Sequence, residues 1–447
     1  MTNRFFGNCG LGRHLSIAVS ALAFLGACGP SSAPSDSRLL ITNVNIVSMD
    51  DEMVLENHHL LIEDGRIAAI GPGTIEDFGG AVADGAGRYL VPGLINSHIH
   101  IRNREDFDQY LSFGVTTVRD MIGDERHLKW RDAIRNGVIR GPEVLVASPL
   151  IYDGQDPSPE DQYVRGPEHG REVVRAFAAA GFDLVKVTRI KDYATLKAVA
   201  DEAAQQGMRL AGHAPSPDLT IEELAGSGMA SVEHLREITS FFLSKMEPQD
   251  KLTAFGALAA SGLAITPMLV PEVERNRILA QGDEYLSAER RSKIFRYWGY
   301  TGITRINRFL DWARNLAPAD RDRSRFDIES TLKSLGMMHR AGLKLLIGTE
   351  GKNFDWQAGE GLHREMELFQ RAGLSNYEVL RSATVVAAEV LGIQDRKGII
   401  AVGKSADFIL VDENPLQNLS TLREPRALVL RGTYIDPDAL EAIRNSS

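Results

Sequence analysis

The chain has 447 residues, 43% of them hydrophobic and 25% charged, which is the balance of an ordinary globular protein with ample material for one large domain or two smaller ones. Its 60 acids outnumber its 50 bases for a net charge of -10, so no nucleic-acid partner is expected. There is no internal repeat, and the one low-complexity stretch is a short linker near the start.

In chain order, Arg4 and Arg13 precede an apolar run over residues 15–25, too short to span a bilayer as a helix and suited to the core of a signal peptide. Leu25-Gly26-Ala27-Cys28 resembles the lipobox of a bacterial lipoprotein. The resemblance implies cleavage ahead of Cys28, acylation of that cysteine, and a lipid anchor holding the mature protein to a membrane of the cell envelope on the periplasmic side. Residues 28–37 then form a flexible tether. Ordinary secretion after cleavage is the alternative. Either way residues 1–27 stand apart from the fold, and the only cysteines are Cys9 and Cys28, so any metal is held by nitrogen and oxygen ligands.

Residues 39–47, 60–63 and 66–70 read as short strands separated by tight turns, Asp64-Gly65 among them. Such a unit is too thin to bury both faces alone. Residues 405–411 and 427–431 read as strands that complete it, which predicts a small, discontinuous β-sandwich from residues 38–92 and 394–447. Between these segments, strand-like runs at 94–98, 116–119, 143–147, 184–188, 209–213, 231–233, 263–267 and 344–348 alternate with helix-like stretches such as 170–180, 193–206 and 221–227. Eight alternating strands predict an α/β fold, a (β/α)8 barrel over residues 93–393, with an open doubly wound sheet as the alternative.

A barrel gathers the C-terminal ends of its strands at one mouth. Read at those ends, the sequence supplies His98 and His100, Lys186, His213, His234 and Glu350. His98 and His100 flank Ile99, so the pleat points both imidazoles the same way, and neutral imidazoles suit a borderline cation such as zinc. Lys186 lies between Val185 and Val187. Burial there depresses an amine's pKa, and a neutral amine can add carbon dioxide to give a carbamate that bridges two cations.

These residues sit in motifs that resemble the amidohydrolase superfamily, in particular its imidazolonepropionase-like and Xaa-Pro-dipeptidase-like branch. They are Leu-Val-Pro-Gly-Leu-Ile-Asn-Ser-His-Ile-His ending at His100, Gly-Val-Thr-Thr-Val-Arg-Asp at residues 114–120, Leu-Val-Lys-Val at 184–187, Gly-His-Ala at 212–214 and Val-Glu-His at 232–234. The resemblance continues through residues 382–392 and 403–412. It implies two divalent metal ions, zinc foremost with manganese, cobalt or nickel also suited. His98 and His100 would hold one, His213 and His234 the other, and carboxylated Lys186 would bridge them. It also implies hydrolysis of a carbon–nitrogen bond in a small amide, N-acyl amino acid, dipeptide or cyclic amide by a metal-bridging hydroxide. The family's last ligand and general acid/base is an aspartate; here that position is Glu350, one methylene longer, and Asp355 is a second candidate base. A mononuclear variant and a binding lipoprotein without catalysis are the rival readings.

Two further stretches stand out. Residues 271–326 are long, helix-prone and rich in arginine and aromatic residues, including Arg275, Arg277, Arg296, Tyr297, Trp298 and Tyr300. They read as a cap over the mouth whose arginines could hold a substrate carboxylate, or as a solvated amphipathic face. His363 opens a helix after the eighth strand and reads as a structural cap.

Overall fold

In a computed structural model the described residues are 38–446, apart from 74, 76–77, 154–161 and 353. The expected leader and tether, with Cys28, lie outside the described residues. Strands β1 (Leu39–Val47), β2 (Val54–Glu63) and β3 (Arg66–Pro72) form an antiparallel meander. Strand β4 (Ala81–Pro92) then returns parallel to β1. Asp64 and Gly65 both take positive φ, 48° and 74°, the backbone a two-residue hairpin requires.

Through Pro92-Gly93 the chain passes into β5 (Leu94–Ile99), followed by β6 (Val115–Asp120), β7 (Glu143–Tyr152) and the two-residue β8 (Gln162–Tyr163). Then come β9 (Leu184–Val187), β10 (Arg209–Gly212), β11 (Ser231–Glu233), β12 (Ala264–Thr266) and β13 (Lys344–Leu345). Apart from β8, which hangs on β7, these strands lie side by side in chain order. The row closes: Ser97 N donates to Ile347 O (2.8 Å), and Thr349 N and Glu350 N both donate to His98 O (2.9 and 3.0 Å). Those bonds stitch the chain beyond β13 to β5, which makes the eight strands a barrel and rules out the open sheet.

The last strands, β14 (Phe408–Val411), β15 (Ala427–Leu430) and β16 (Thr433–Ile435), join β4 to give one seven-stranded sheet in the order β16-β15-β14-β4-β1-β2-β3. The sheet bends until its two ends meet, where Ala406 N donates to Gly65 O (2.8 Å) and Gly432 N to Ala406 O (3.0 Å). It encloses Ile41, Ile46, Leu60, Ile62, Phe408 and Val429, so the expected sandwich is one continuous sheet folded over. At the meeting point two hairpin turns touch backbone to backbone. A Cβ on Gly432 (φ 81°) would lie 2.7 Å from Gly65 Cα, so both turns need glycine.

Strand alternation sorts the barrel's side chains. Val185, Val187, Val232 and Ile265 pack outward into the layer shared with the helices. Ile95, Leu145, Leu184, Ala211 and Ala264 face inward and are plugged from below by Leu391 and Ile393. The apolar plug fills the N-terminal half, which leaves the C-terminal half to polar side chains. Helix starts follow local signals: Pro167 at the first turn begins Pro167–Ala180 three residues ahead of the stretch read from periodicity. Among the described residues no helix is long and apolar enough to cross a membrane.

After β12, and ahead of the helix Ile328–Arg340 that leads into β13, the chain makes helices Leu269–Gln281, Ala288–Arg314 (bent at Gly299) and Pro318–Arg323. Their own core is Ile278, Tyr285, Ile294, Ile306 and Leu310. Buried Glu365, on the helix Glu360–Arg371, accepts from Leu269 N and Val270 N (both 2.8 Å) and anchors the first of these helices.

His363 is buried on the same helix, and its Nε2 donates to the Phe113 carbonyl (2.9 Å). The helix start itself is Gly359, so His363 ties two segments together and does not cap the helix. Burial drives its pKa from 6.5 down to about 4, against the opposing pull of the Phe113 bond. Between those values the unfolded chain binds a proton that the folded chain refuses, so the residue's contribution to stability rises with pH, by at most about 1.4 kcal/mol per unit. Denaturant unfolding at pH 4.5 and pH 7 should show a smaller acid loss for His363→Gln than for the parent chain; equal losses would contradict a buried neutral imidazole.

Candidate metal centre

The site begins at the end of β5, where His98 is fully buried. Its neighbour across the barrel closure is Gly348, where a Cβ would fall 2.7 Å from His98 Cβ; the glycine lets the last strand pass this close. His98 Nδ1 donates to Glu233 Oε2 (2.8 Å) at the end of β11. Glu233 Oε1 in turn accepts from Arg119 Nη2 (2.8 Å) and from the Ser231 hydroxyl (2.6 Å), and Arg119 also donates to Ser231 Oγ (2.9 Å) and to the Ser97 carbonyl. Burial alone would raise the Glu233 pKa, but Arg119 and His98 outweigh it and hold the carboxylate ionised.

That chain fixes a tautomer. With the proton on Nδ1, His98 presents a lone pair on Nε2, and this buried atom has no hydrogen-bond partner. Glu237 does the same for His213, accepting from Nδ1 at 2.8 Å while its other oxygen accepts from Ala214 N (2.9 Å). His213 stacks on His234 with ring centroids 4.6 Å apart. The rings of His98 and His100 lie 5.2 Å apart, and those of His98 and His234 lie 5.4 Å apart.

Glu350 occupies the middle of this group. One carboxylate oxygen is 3.7 Å from His98 Nε2 and 3.4 Å from His234 Nε2, and the other is 3.3 Å from His100 Nε2. One carboxylate therefore faces a member of each histidine pair. Burial lowers the pKa of His98 well below its ordinary value, lowers that of His100, and takes that of His234 to about 4. Burial also works against charge on Glu350, yet its pKa lies well below the usual carboxylate range, His100 beside it being the largest cause that lowers it. Glu350 and His234 both hold positive φ (64° each), a strained backbone for residues with side chains and one that clusters at working sites.

Lys186 is 1% exposed, with its pKa lowered to about 8 by burial against the pull of Glu350, Glu233 and Asp120. Its inward direction follows from Val185 and Val187 packing outward. All six residues selected from the strand ends thus lie at one mouth. Asp355 does not join them, since it pairs with Arg290 (3.0 Å). Arg277 is likewise engaged, on Glu274 (2.6 Å). Sequence reasoning assigned no role to Arg119, Glu233 or Glu237. The available signal was a charged residue at an inward position of an otherwise apolar strand, and Glu237 lies three residues past His234 on the helix that follows.

A cation fits this donor set. His98 Nε2 carries a lone pair and faces an ionised carboxylate, an arrangement of two electron-pair donors that repels unless a positive charge sits between them. Ligand atoms of His98, His100 and Glu350 all lie within 4.8 Å of one another.

A model of the amidohydrolase family matches residues 89–434. The chain is 22% identical to a 5-methylthioadenosine/S-adenosylhomocysteine deaminase of Caldanaerobacter subterraneus, over 89% of this chain and 90% of that protein. Among solved structures it resembles a bottromycin amidohydrolase, with a TM-score of 0.71, 22% identity and 93% of each chain covered. It also resembles a Xaa-Pro dipeptidase with methionine bound in its active site, with a TM-score of 0.66, 20% identity, and 89% of this chain and 100% of that one covered. These structural likenesses are of fold. The family match takes in every residue of the barrel mouth described above, and this hydrolase belongs to the amidohydrolase family.

Proposed function

We propose that the chain hydrolyses a carbon–nitrogen bond in a small amide, N-acyl amino acid, dipeptide or cyclic amide, using two divalent cations held at the barrel mouth. The observation that carries this reading is the convergence of the His98, His100 and His234 Nε2 atoms on the one Glu350 carboxylate, within 3.7 Å, 3.3 Å and 3.4 Å. In this reading His98, His100 and Glu350 would hold one cation, His213 and His234 would hold the other, and Lys186, carboxylated, would supply a further oxygen donor. The deaminase, amidohydrolase and dipeptidase named above support the bond class, since their names all denote carbon–nitrogen chemistry.

Cations bound there would polarise the scissile carbonyl and make water a stronger nucleophile at neutral pH. Glu350, ionised and at the centre of the imidazoles, accepts the proton of the attacking water and returns it to the leaving nitrogen. Glu233 and Glu237 keep His98 and His213 in the tautomer that leaves Nε2 free. Zinc suits the nitrogen and oxygen donors, as do manganese, cobalt and nickel. A mononuclear reading has one observation in its favour: only His98, His100 and Glu350 form a group with donor atoms within 4.8 Å among the described residues.

Elemental analysis of the full chain separates the two. The binuclear reading expects about two metals per chain and a fall to one or fewer in Lys186→Ala, with activity lost; full metal content and activity in that variant would sink it. Glu350→Gln keeps the length but removes the proton acceptor, and should lower kcat at least a hundredfold on any amide that the parent turns over, whereas retained kcat would remove Glu350 from proton transfer. We further propose that Cys28 carries the lipid anchor. Cys28→Ser should then move the protein from the membrane fraction to the soluble fraction of cells, and an unchanged distribution would refute the anchor.

A further inference from the structure

The helices between β12 and β13 line a cavity of about 350 Å3 that none of the chemistry above uses. Its walls are of two kinds. Trp298, Phe309 and Phe354 supply aromatic surface, and Arg275, Arg305 and Arg308 supply guanidinium groups. Among the described residues no acidic side chain lines it. Glu272 divides its charge between Arg275 (3.3 Å) and Arg236 (2.9 Å). Arg305 and Arg308 have no carboxylate within ion-pair distance among the described residues. Arg305 and Arg308 are exposed side chains that line this apolar slot, and the planar fork of a guanidinium matches a carboxylate.

The cavity is tied to the barrel mouth. Arg102, two residues past His100, brings its guanidinium to 5.1 Å from the Trp298 ring, and Arg305 approaches the same ring at 6.0 Å. Arg305, an exposed residue, is also close enough to Glu350 to feel its field. The Trp298 indole Nε1 is buried with no hydrogen-bond partner, a donor still to be used. The volume is that of a small-ligand site, large enough for an aromatic side chain and a carboxylate together.

We propose that this cavity is the specificity site of the hydrolase, binding the part of the substrate that carries a carboxylate beside an aromatic or bulky apolar group. The substrate class is then an N-acyl aromatic amino acid or a peptide ending in such a residue. The assignment rests on the hydrolase reading for its meaning, but its binding chemistry is testable without turnover.

Calorimetric titration of the full chain with N-acetyl-L-phenylalanine and N-acetyl-L-phenylalaninol compares a carboxylate with a neutral hydroxymethyl group on one frame. The acid should bind about ten- to hundredfold more tightly. The double variant Arg305→Leu with Arg308→Leu should bring the two affinities together by weakening the acid alone, and Arg305→Lys should keep part of the preference. Equal affinities in the parent chain, or a preference intact in the double variant, would overturn the assignment. Preferred binding of the acid with no amide hydrolysed by the metal-loaded protein would fell the hydrolase reading and leave the cavity standing. Hydrolysis with equal kcat/KM for the carboxylate and neutral amides would fell the cavity and leave the hydrolase.

Discussion

The buried chain Arg119–Glu233–His98 is the constraint on which the barrel mouth depends. Glu233 has no exposed surface, and a carboxylate in that position is tolerable only because a guanidinium, a hydroxyl and an imidazole N–H all meet it. Removing Arg119 would leave an uncompensated charge inside the barrel, at a cost of about 3–5 kcal/mol. What the arrangement secures is direction. The proton of His98 is committed to Glu233, so its other nitrogen is a lone pair pointed at the mouth before any ligand arrives. His213, just past the end of β10, and Glu237 repeat the device nearer the surface. Two imidazoles are thus set in advance, and Glu350 closes the group from the far side of the barrel seam.

The same elements show what a linear reading gives and where it stops. Strand-like runs alternating with helix-like stretches located all eight strands and marked Lys186 as a lysine at a buried strand end, and in the fold it turns inward because the valines on either side face the helices. Histidines at strand ends are visible for the same reason. The Arg119–Glu233 pair is harder to see, although both residues sit in motifs that are easy to quote. Each looks like an isolated charge on a strand, and the contact forms across the barrel between β6 and β11, a juxtaposition that depends on strand parity and on closure together. Asp355 misled for the opposite reason: five residues from Glu350 is close in sequence, but the chain turns it toward Arg290. His363 failed as a helix cap because the helix begins at Gly359, which the residue pattern does not reveal.

The position that departs from the family's expected aspartate is better understood in three dimensions. Glu350 holds a left-handed backbone, and its carboxylate faces three imidazoles at once. Strain at that residue and at His234 is sustained by the surrounding bonds, with Glu350 N fixed to His98 O and His234 N to Thr266 O. Above this group the helical excursion is built on its own core, and its arginines divide into paired and unpaired sets. Arg277 and Arg290 are neutralised locally, whereas Arg305 and Arg308 face an apolar slot. A polar mouth that repels electron pairs and a cationic, aromatic slot beside it are complementary demands, one for cations and one for an anionic substrate.

X-ray absorption at the metal edge of the full chain tests the central claim most directly, because it reads the ligands themselves. The expected result is tightly bound metal with a first shell of nitrogen and oxygen only, the outer-shell scattering of imidazole, and a weakening of that imidazole signal in His98→Ala. A protein that binds no stoichiometric metal, or a spectrum unchanged by His98→Ala, would contradict it.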